Sequence, residues 1–444
     1  METTNFKSRR KKVLSLIGPS IAIIKASTYK TRSNDTAFPF RQDSNFKYLT
    51  GFPEPDALLV LCQNNSECHE ILFVHEKDPT RALWEGDCHG VKETQDLYDF
   101  DKVYPIEEFS KVLPDLIKGH ENVYLDLYDE SLTSLRTLVH KEMTALHANR
   151  RLKQKPINIK HIAPILGRLR LKKSKNELAL IKQACEISKK THKQLMSYCS
   201  SGKNEADLYR LLLASFAAQG AKEEAYTSII ASGNNANTLH YIENNSEIQE
   251  NDLVLIDAGC EFNGYASDIT RTFPANGKFT DIQADLYNAV LESQKNAIAK
   301  AKPGNTLSDI HNASTRTLSM ALKDFGIFTE SVDEIIEKGL IRKYFPHGTG
   351  HWLGLDVHDP CPSIDEQGEP IILSEGMVFT IEPGLYFNSL LNDTPEKFKG
   401  LGVRIEDDIV ITKDGHENLT SGTPKEIKEI EEQCNTPFDP AELF

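Results

Sequence analysis

The stretch PHGTGHWLGLDVHD at 346–359 carries three histidines and three glycines, with His351 four residues after His347 and His358 seven further on. Glycine lets a backbone turn tightly or approach a ligand closely. Imidazole is the commonest metal ligand and the side chain that normally titrates nearest neutral pH. The loop is therefore a candidate metal site, acid–base site, or both. Carboxylates able to share it lie in three other segments. In DLVLIDAGCEFNGYASDITRTF at 252–273, the Asn263-Gly264 pair predicts a hairpin with a two-residue type I′ turn. That turn sets Asp257 opposite Thr270 and Asp268 opposite Gly259, which makes the two aspartates diagonal neighbours on one face. In GMVFTIEPGLYF, Glu382 ends an apolar run directly before Pro383-Gly384. In GVRIEDDIVI, strand alternation puts Arg404, Glu406 and Asp408 on one face and Val403, Ile405 and Asp407 on the other.

A strand carboxylate is ordinarily a surface group. Asp257 follows Leu253, Val254, Leu255 and Ile256, however, so both faces of its strand are apolar, and a carboxylate buried there must be paired or metal-bound. Two bare carboxylates about 4 Å apart repel by about 4 kcal/mol at an effective dielectric of about 20. If Asp257, Asp268, Glu382 and Glu406 converge with a loop histidine, protons or cations must relieve that repulsion. Oxygen-rich ligation with one nitrogen suits Mn²⁺, Co²⁺, Fe²⁺ or Zn²⁺, and bridging carboxylates suit a pair of metals. No HExxH, GxSxG, Walker A or dinucleotide fingerprint competes with this reading. Cys260, beside the hairpin turn, reads as a packing residue.

The elements that must position these groups are legible in outline. Up to about residue 170, β-rich runs (ALLVLC at 57–62, EILFV at 70–74, NVYLDL at 122–127) alternate with helical stretches such as 132–143, an α/β pattern. Ser174 and Glu177 form a capping box that opens a helix, which places a domain boundary between residues 172 and 173. Helices are predicted at 175–199 and 205–219, from Thr280 to just before Pro303-Gly304, and over 308–325, closed by Gly326. Strands follow each helix pair, an order that suits two similar halves. The charged tail from Lys425 onward is expected to fray or lie on the surface.

Bulk properties narrow the partners. A chain of 444 residues is long enough for two domains, and its net charge of −14 argues against an electrostatic hold on nucleic acid or anionic membrane. Eight scattered cysteines without a CxxC pair fit reduced thiols in the cytoplasm. Near the amino terminus, KSRRKK followed by VLSLIGPSIAII superficially resembles a signal peptide. Gly18-Pro19 divides it more naturally into a helix ending near Ile17 and a strand at 21–24.

Taken together, IDAG at 256–259, SDITRTF at 267–273, HGTGHWLGLDVHD at 347–359, TIEPGLY at 380–386 and GVRIEDD at 402–408 resemble the pita-bread metallopeptidases, most closely the aminopeptidase P family. The segment PFRQDSNFKYLTGFPEPDALLVL at 39–61 is similar to that family's creatinase-type amino-terminal domain. The resemblance implies an α/β creatinase-like domain over 1–172 and an α+β pita-bread catalytic domain over 173–444. It implies two divalent metal ions, with Mn²⁺ the expected species. Asp257 would chelate one, Asp268 and Glu406 would bridge both, and His351 with Glu382 would complete the other. His347, His358 and His240, the last in SGNNANTLHYIEN, fall on the substrate side, and Arg404 would position a ligand or the substrate.

The reaction implied is hydrolysis of the first peptide bond of peptides with proline second, by a hydroxide held between two metals. Glu382 would shuttle the proton, while His358, with His347, would donate to the oxyanion. Trp352, Leu353 and Tyr386 lie near motif residues and read as core more than as a proline pocket. The family also implies a homo-oligomer, dimer or tetramer, for which Trp84 is an interface candidate. The nearest rival is prolidase, which cleaves only Xaa-Pro dipeptides and must hold a free proline carboxylate. A methionine aminopeptidase would not need the large amino-terminal domain, and a non-catalytic peptide-binding module would not need the full ligand set.

Overall fold

The computed structural model describes residues 3–63, 68–152, 155–390 and 394–443. They form two compact units, Met1–Leu169 and Arg170–Phe444. The first is built on a six-stranded mixed sheet whose centre is Ile21–Lys25, antiparallel to Leu58–Gln63 and parallel to Asn122–Leu125. The central strands are apolar on both faces because helices cover them. Leu113 and Ile117 of Phe109–Ile117 and Val139 of Thr133–Ala148 pack on Ile23, Val60, Phe73 and Val123. The basic, apolar amino-terminal stretch splits as expected into the helix Thr3–Ile17 and the strand Ile21–Lys25. Arg10 is fully buried there, donating to Glu70 at 2.6 Å and to the Leu49 carbonyl at 3.0 Å, so this segment is an integral part of the fold. No helix among the described residues is long and apolar enough to cross a membrane.

In the second unit the four predicted helices occupy Lys175–Tyr198, Glu205–Ala218, Asp281–Ile298 and Leu307–Asp324. Each opens on a capping box, at Ser174/Glu177, Asn204/Asp207, Thr280/Gln283 and Thr306/Asp309. The same local chemistry that marks a helix start in sequence thus sets it in space. The first helix pair is followed by the antiparallel strands Ile229–Ser232, Leu253–Asp257 and Thr270–Pro274, and the second pair by Val378–Ile381, Asp407–Ile411 and His416–Asn418. The first three strands pack with the helices in one core that includes Leu212, Val254, Phe273, Leu286, Val290 and Leu318, and Phe379, Ile381, Ile409 and Ile411 of the later strands form a second cluster with Ala297, Ile310 and Trp352.

The 252–273 hairpin has the expected register, with Asp257 against Thr270 and Glu261 against Ala266, and Asn263 and Gly264 both at positive φ, 50° and 89°. Its ladder opens in the middle. The tip, Cys260–Phe262 with Tyr265–Ala266, belongs to a different sheet from the base, and Gly259 lies against the Ser267 carbonyl where a Cβ would approach to 1.7 Å. Asp268 falls in this opening. The run 402–411 is not one continuous strand either. Gly402–Arg404 pairs with Gly384–Tyr386, whereas Asp407–Ile411 pairs with Val378–Ile381. Pro383, which has no N–H to give a ladder, sits in the matching gap. Glu382 and Glu406 therefore occupy facing interruptions.

The tail departs from expectation. Lys425 Nζ reaches buried Asp407 Oδ2 at 2.6 Å, and the helix Ile427–Cys434 buries Ile430 completely. A buried carboxylate needs cations, and this lysine is one of its two, which draws the start of the tail inward.

His192, 1% exposed, has Nε2 at 3.0 Å from the Ala258 carbonyl, and burial lowers its pKa from 6.5 to about 4. A histidine whose folded pKa is depressed contributes stability in full above its unfolded value, and that contribution is lost as pH falls toward the folded one. Between about pH 8 and pH 5 the wild type should lose about 2 kcal/mol of stability that a His192→Gln variant does not lose. Urea titrations of both proteins at fixed metal check this, and parallel pH profiles would refute it.

Candidate metal centre

Asp257 closes the strand Leu253–Asp257, and its two oxygens are fixed separately, Oδ2 by Arg404 Nη2 at 2.6 Å and Oδ1 by the Tyr226 hydroxyl at 2.5 Å. Asp268 is nearly buried; its Oδ1 also accepts from Tyr226, and its Oδ2 lies 3.4 Å from His351 Nε2. Glu382 Oε1 is 3.6 Å from the same nitrogen. Glu406 Oε2 accepts from Thr270 Oγ1 at 2.6 Å. One donor atom each from Asp268, His351 and Glu406 lies within 4.8 Å of the others.

His351 is held by its neighbours. Its backbone exchanges hydrogen bonds with Thr380, and Gly350 runs so close to that strand that a Cβ would lie 1.9 Å from the Thr380 carbonyl. The His351 Nδ1 lies 3.2 Å from the Trp352 carbonyl, a contact that assigns the proton to Nδ1 and turns the Nε2 lone pair toward the carboxylates. Without cations Asp268, Glu382 and Glu406 resist ionising. Burial pushes Glu406 well up, with Asp268 and Glu382 adding to it, and burial raises Asp268 as well. Glu382 rises to about 7 through burial, against the pull of His351 and Arg404. Burial opposes charge on His351, yet its hydrogen bond to Asp268 and the charge of Glu382 outweigh that and raise it to about 9. Four carboxylates and an imidazole lining one volume, with Asp268, Glu382 and Glu406 each unwilling to stand charged alone, fit oxygen-rich divalent cation ligation.

All nine residues singled out from the sequence line one cavity of about 470 Å³, the five above together with His240, His347, His358 and Arg404. They are not equivalent. Arg404 can only donate, so its Nη1 contact with the Tyr386 hydroxyl at 2.9 Å leaves the Tyr386 proton for His347 Nε2 at 2.8 Å. His347 Nδ1 then donates to the Gly348 carbonyl at 2.7 Å. Burial and Arg404 push His347 down to about 4, so it is neutral, with both nitrogens engaged. The expectation that His347 donates to an oxyanion is at odds with this arrangement. His358, which meets the His351 ring edge-on at 4.3 Å, and His240 are the imidazoles open to the cavity. Burial, with His351 beside it, lowers His358 as well.

Trp352, Leu353 and Tyr386 are buried, and none lines the cavity. Its apolar wall comes from Ile229 at the start of the strand Ile229–Ser232 and from Leu239, Ile242 and Val357, which sequence reasoning missed because the last three are isolated aliphatic residues outside regular strands and helices and carry no periodic signal. Tyr226 was missed for the same reason, standing alone in KEEAYTS. Asp408 supports the site from behind, accepting the Asp268 amide at 2.9 Å and the Cys185 thiol at 3.3 Å.

Comparison with known proteins agrees over the whole chain. Residues 179–413 match metallopeptidase family M24, and residues 6–124 match the aminopeptidase P N-terminal domain. The chain is 39% identical to the Xaa-Pro aminopeptidase of Haemophilus influenzae over 97% of both proteins. Among solved structures, zinc-substituted Escherichia coli aminopeptidase P in complex with product superposes with a TM-score of 0.93 at 38% identity, covering 98% of each chain. Pseudomonas aeruginosa aminopeptidase PepP gives 0.93 at 38% identity, covering 98% of this chain and 99% of that one. With an aminopeptidase P type of amino-terminal domain joined to a pita-bread catalytic domain, the chain belongs to metallopeptidase family M24.

Proposed function

We propose that this chain is a metal-dependent aminopeptidase that hydrolyses the first bond of peptides carrying proline second. The observation that carries the reading is that one cavity is lined by Asp257 at the end of its strand, Asp268, Glu382 and Glu406 at strand interruptions, and His351 in the glycine-rich loop. These five side chains would hold two divalent cations, Mn²⁺ the expected ion. Bound there, the metals supply Lewis acidity and a water made nucleophilic near neutral pH.

The protein's own groups do the rest. The amide before proline carries no hydrogen, so its nitrogen cannot be recognised by an acceptor and must gain a proton to leave. Glu382, with Oε1 toward His351 and Oε2 toward His347, is the proton carrier, and Oε2 is the oxygen we assign to it. His358 donates to the developing oxyanion in place of His347. His240 faces the substrate from the opposite loop, and the aliphatic wall of Ile229, Leu239, Ile242 and Val357 excludes water from bound apolar groups.

Prolidase activity is disfavoured on one count. Arg404 is the single lysine or arginine among the described residues lining the cavity, and Asp257, Tyr386 and Thr270 already occupy it, which leaves no cation there for a free proline carboxylate. Division into a creatinase-type domain over 1–172 and a catalytic domain over 173–444 is part of this reading. So is a cytoplasmic setting, supported by eight free cysteines. A dimer or tetramer is supported by Trp84, 83% exposed beside Leu83 at 81%. The net charge of −14 supports the absence of a nucleic-acid partner.

Metal-stripped protein given Mn²⁺ should release the first residue of Xaa-Pro-Yaa tripeptides and lose that activity to chelator. Turnover confined to Xaa-Pro dipeptides would replace the assignment by prolidase, and silence on both would end it.

A further inference from the structure

Tyr226 belongs to no motif that marks the site, yet among the described residues its hydroxyl is the one group within hydrogen-bond contact of both aspartates. It lies 2.5 Å from Asp257 Oδ1 and also within hydrogen-bond contact of Asp268 Oδ1. Its position is well determined. The preceding residue, Ala225, donates its amide to the Gly259 carbonyl at 2.8 Å, in the opening of the hairpin. On either side of the tyrosine, the Glu224 carboxylate accepts from Ser228 Oγ at 2.9 Å and from Tyr209 at 3.1 Å. A loop tied down at both ends thus delivers a phenol between two carboxylates that come from opposite limbs of the hairpin.

Those carboxylates do not hold one another. Asp257 and Asp268 repel, and the backbone bonds on either side, Ala258 amide to Ile269 carbonyl at 3.0 Å and Ser267 amide to Cys260 carbonyl at 3.1 Å, set the chains but not the two side chains. Arg404 orients Asp257 alone, Thr270 orients Glu406 alone, and the Asp408 carboxylate fixes only the backbone amide of Asp268. We propose that Tyr226 is a positioning residue of the metal centre, its one O–H proton clamping Asp257 Oδ1 and Asp268 Oδ1 in a shared three-centre hydrogen bond so that the remaining oxygens stand ready for divalent cations. The inference rests on the metal-site reading above. Groups that orient ligands in this way are typically worth about 10- to 100-fold in metal affinity.

Tyr226→Phe keeps the ring and removes only the clamp. The test measures Mn²⁺ affinity directly, by titration calorimetry on chelator-stripped full-length protein, without substrate. The expected result is a Kd about 10- to 100-fold weaker than wild type, with the melting temperature at saturating Mn²⁺ unchanged. Should the stripped variant fail to fold, Mn²⁺ release from loaded protein into excess chelator gives the same comparison, and release should be faster by a similar factor. Affinity and release rate within twofold of wild type overturn the clamp. Failure of the wild type itself to bind Mn²⁺ overturns the metal-site reading and the clamp together.

Discussion

Glu406→Gln is expected to lose at least about 10³-fold in kcat while keeping its fold, because metal catalysis supplies several kcal/mol and each 1.36 kcal/mol is about tenfold. The substitution is nearly isosteric. A glutamine oxygen still accepts from Thr270 Oγ1, whose bond to Glu406 Oε2 is 2.6 Å, so the side chain remains in place without its charge. What disappears is an anion that repels Asp268 and Glu382, the interactions that push the Glu406 pKa up beyond the effect of burial. The metal-free variant should therefore be no less stable than wild type near pH 8, where the wild-type carboxylates are forced toward ionisation. Steady-state turnover of an Xaa-Pro-Yaa tripeptide at saturating Mn²⁺, with thermal denaturation of both metal-free proteins, tests the two halves separately. A variant retaining more than a tenth of wild-type kcat would remove Glu406 from the metal centre.

The second large effect lies behind the site. Arg271 and Asp407 are both fully buried; Arg271 Nη2 meets Asp407 Oδ1 at 2.7 Å, and Lys425 Nζ meets Oδ2 at 2.6 Å. Arg271 Nη1 also donates to the backbone carbonyls of Glu406 at 2.6 Å and Thr270 at 2.9 Å. The guanidinium thus joins an ion pair to the two segments that bring Glu406 and Thr270 together. Replacing a buried pair with apolar groups can be neutral, but removing one partner leaves the other uncompensated. Arg271→Met should cost about 3–5 kcal/mol in denaturant unfolding, even with Lys425 still in contact. Part of this loss comes from the Glu406 carbonyl left without its donor, whereas the Thr270 carbonyl keeps the Glu406 amide. Arg271→Lys restores a charge but not the fork, and should recover only part of the loss. A cost below about 1 kcal/mol for the methionine variant would mean that Lys425, with the Thr420 hydroxyl on Oδ1 at 2.8 Å and Gln294 and Asn418 on Oδ2 at 3.2 and 2.9 Å, carries Asp407 without the guanidinium.

The parts of this protein that were legible in the sequence are those fixed by local chemistry. Ser174/Glu177 and Thr280/Gln283 announce helix starts because a capping box is closed within four residues, and Asn263-Gly264 fixes a register because both residues accept positive φ. The carboxylates were singled out because Asp257, placed after an apolar run, was expected to be buried and to need partners; it is half-buried, and Arg404 and Tyr226 are those partners. The breaks in strand pairing were not, because alternation along GVRIEDDIVI is the same whether or not the ladder is interrupted at Glu406. Nothing in KEEAYTS says that Tyr226 faces two acids brought from other segments. Lys425 reads as a surface charge until Asp407 is known to lie beneath it, and His347 reads as an open donor until Tyr386 and Arg404 are known to claim it.

The interruptions that hold Asp268, Glu382 and Glu406 also bear on how the chain reaches its active form. A gap in a ladder frees backbone amides that would be costly to leave without acceptors. Here the Glu406 amide goes to the Thr270 carbonyl at 3.0 Å, the Glu382 amide to the Thr349 carbonyl at 2.8 Å, and the Asp268 amide to the Asp408 carboxylate at 2.9 Å. Each of these bonds spans a long stretch of sequence, and loop closure makes such pairings slow to form. The bonds of Glu406 and Asp268 cannot form until the hairpin and the later strands have docked. Assembly of the metal centre is therefore tied to contacts such as Asp268 to Asp408, 140 residues apart, and must follow the local folding of helices and hairpin.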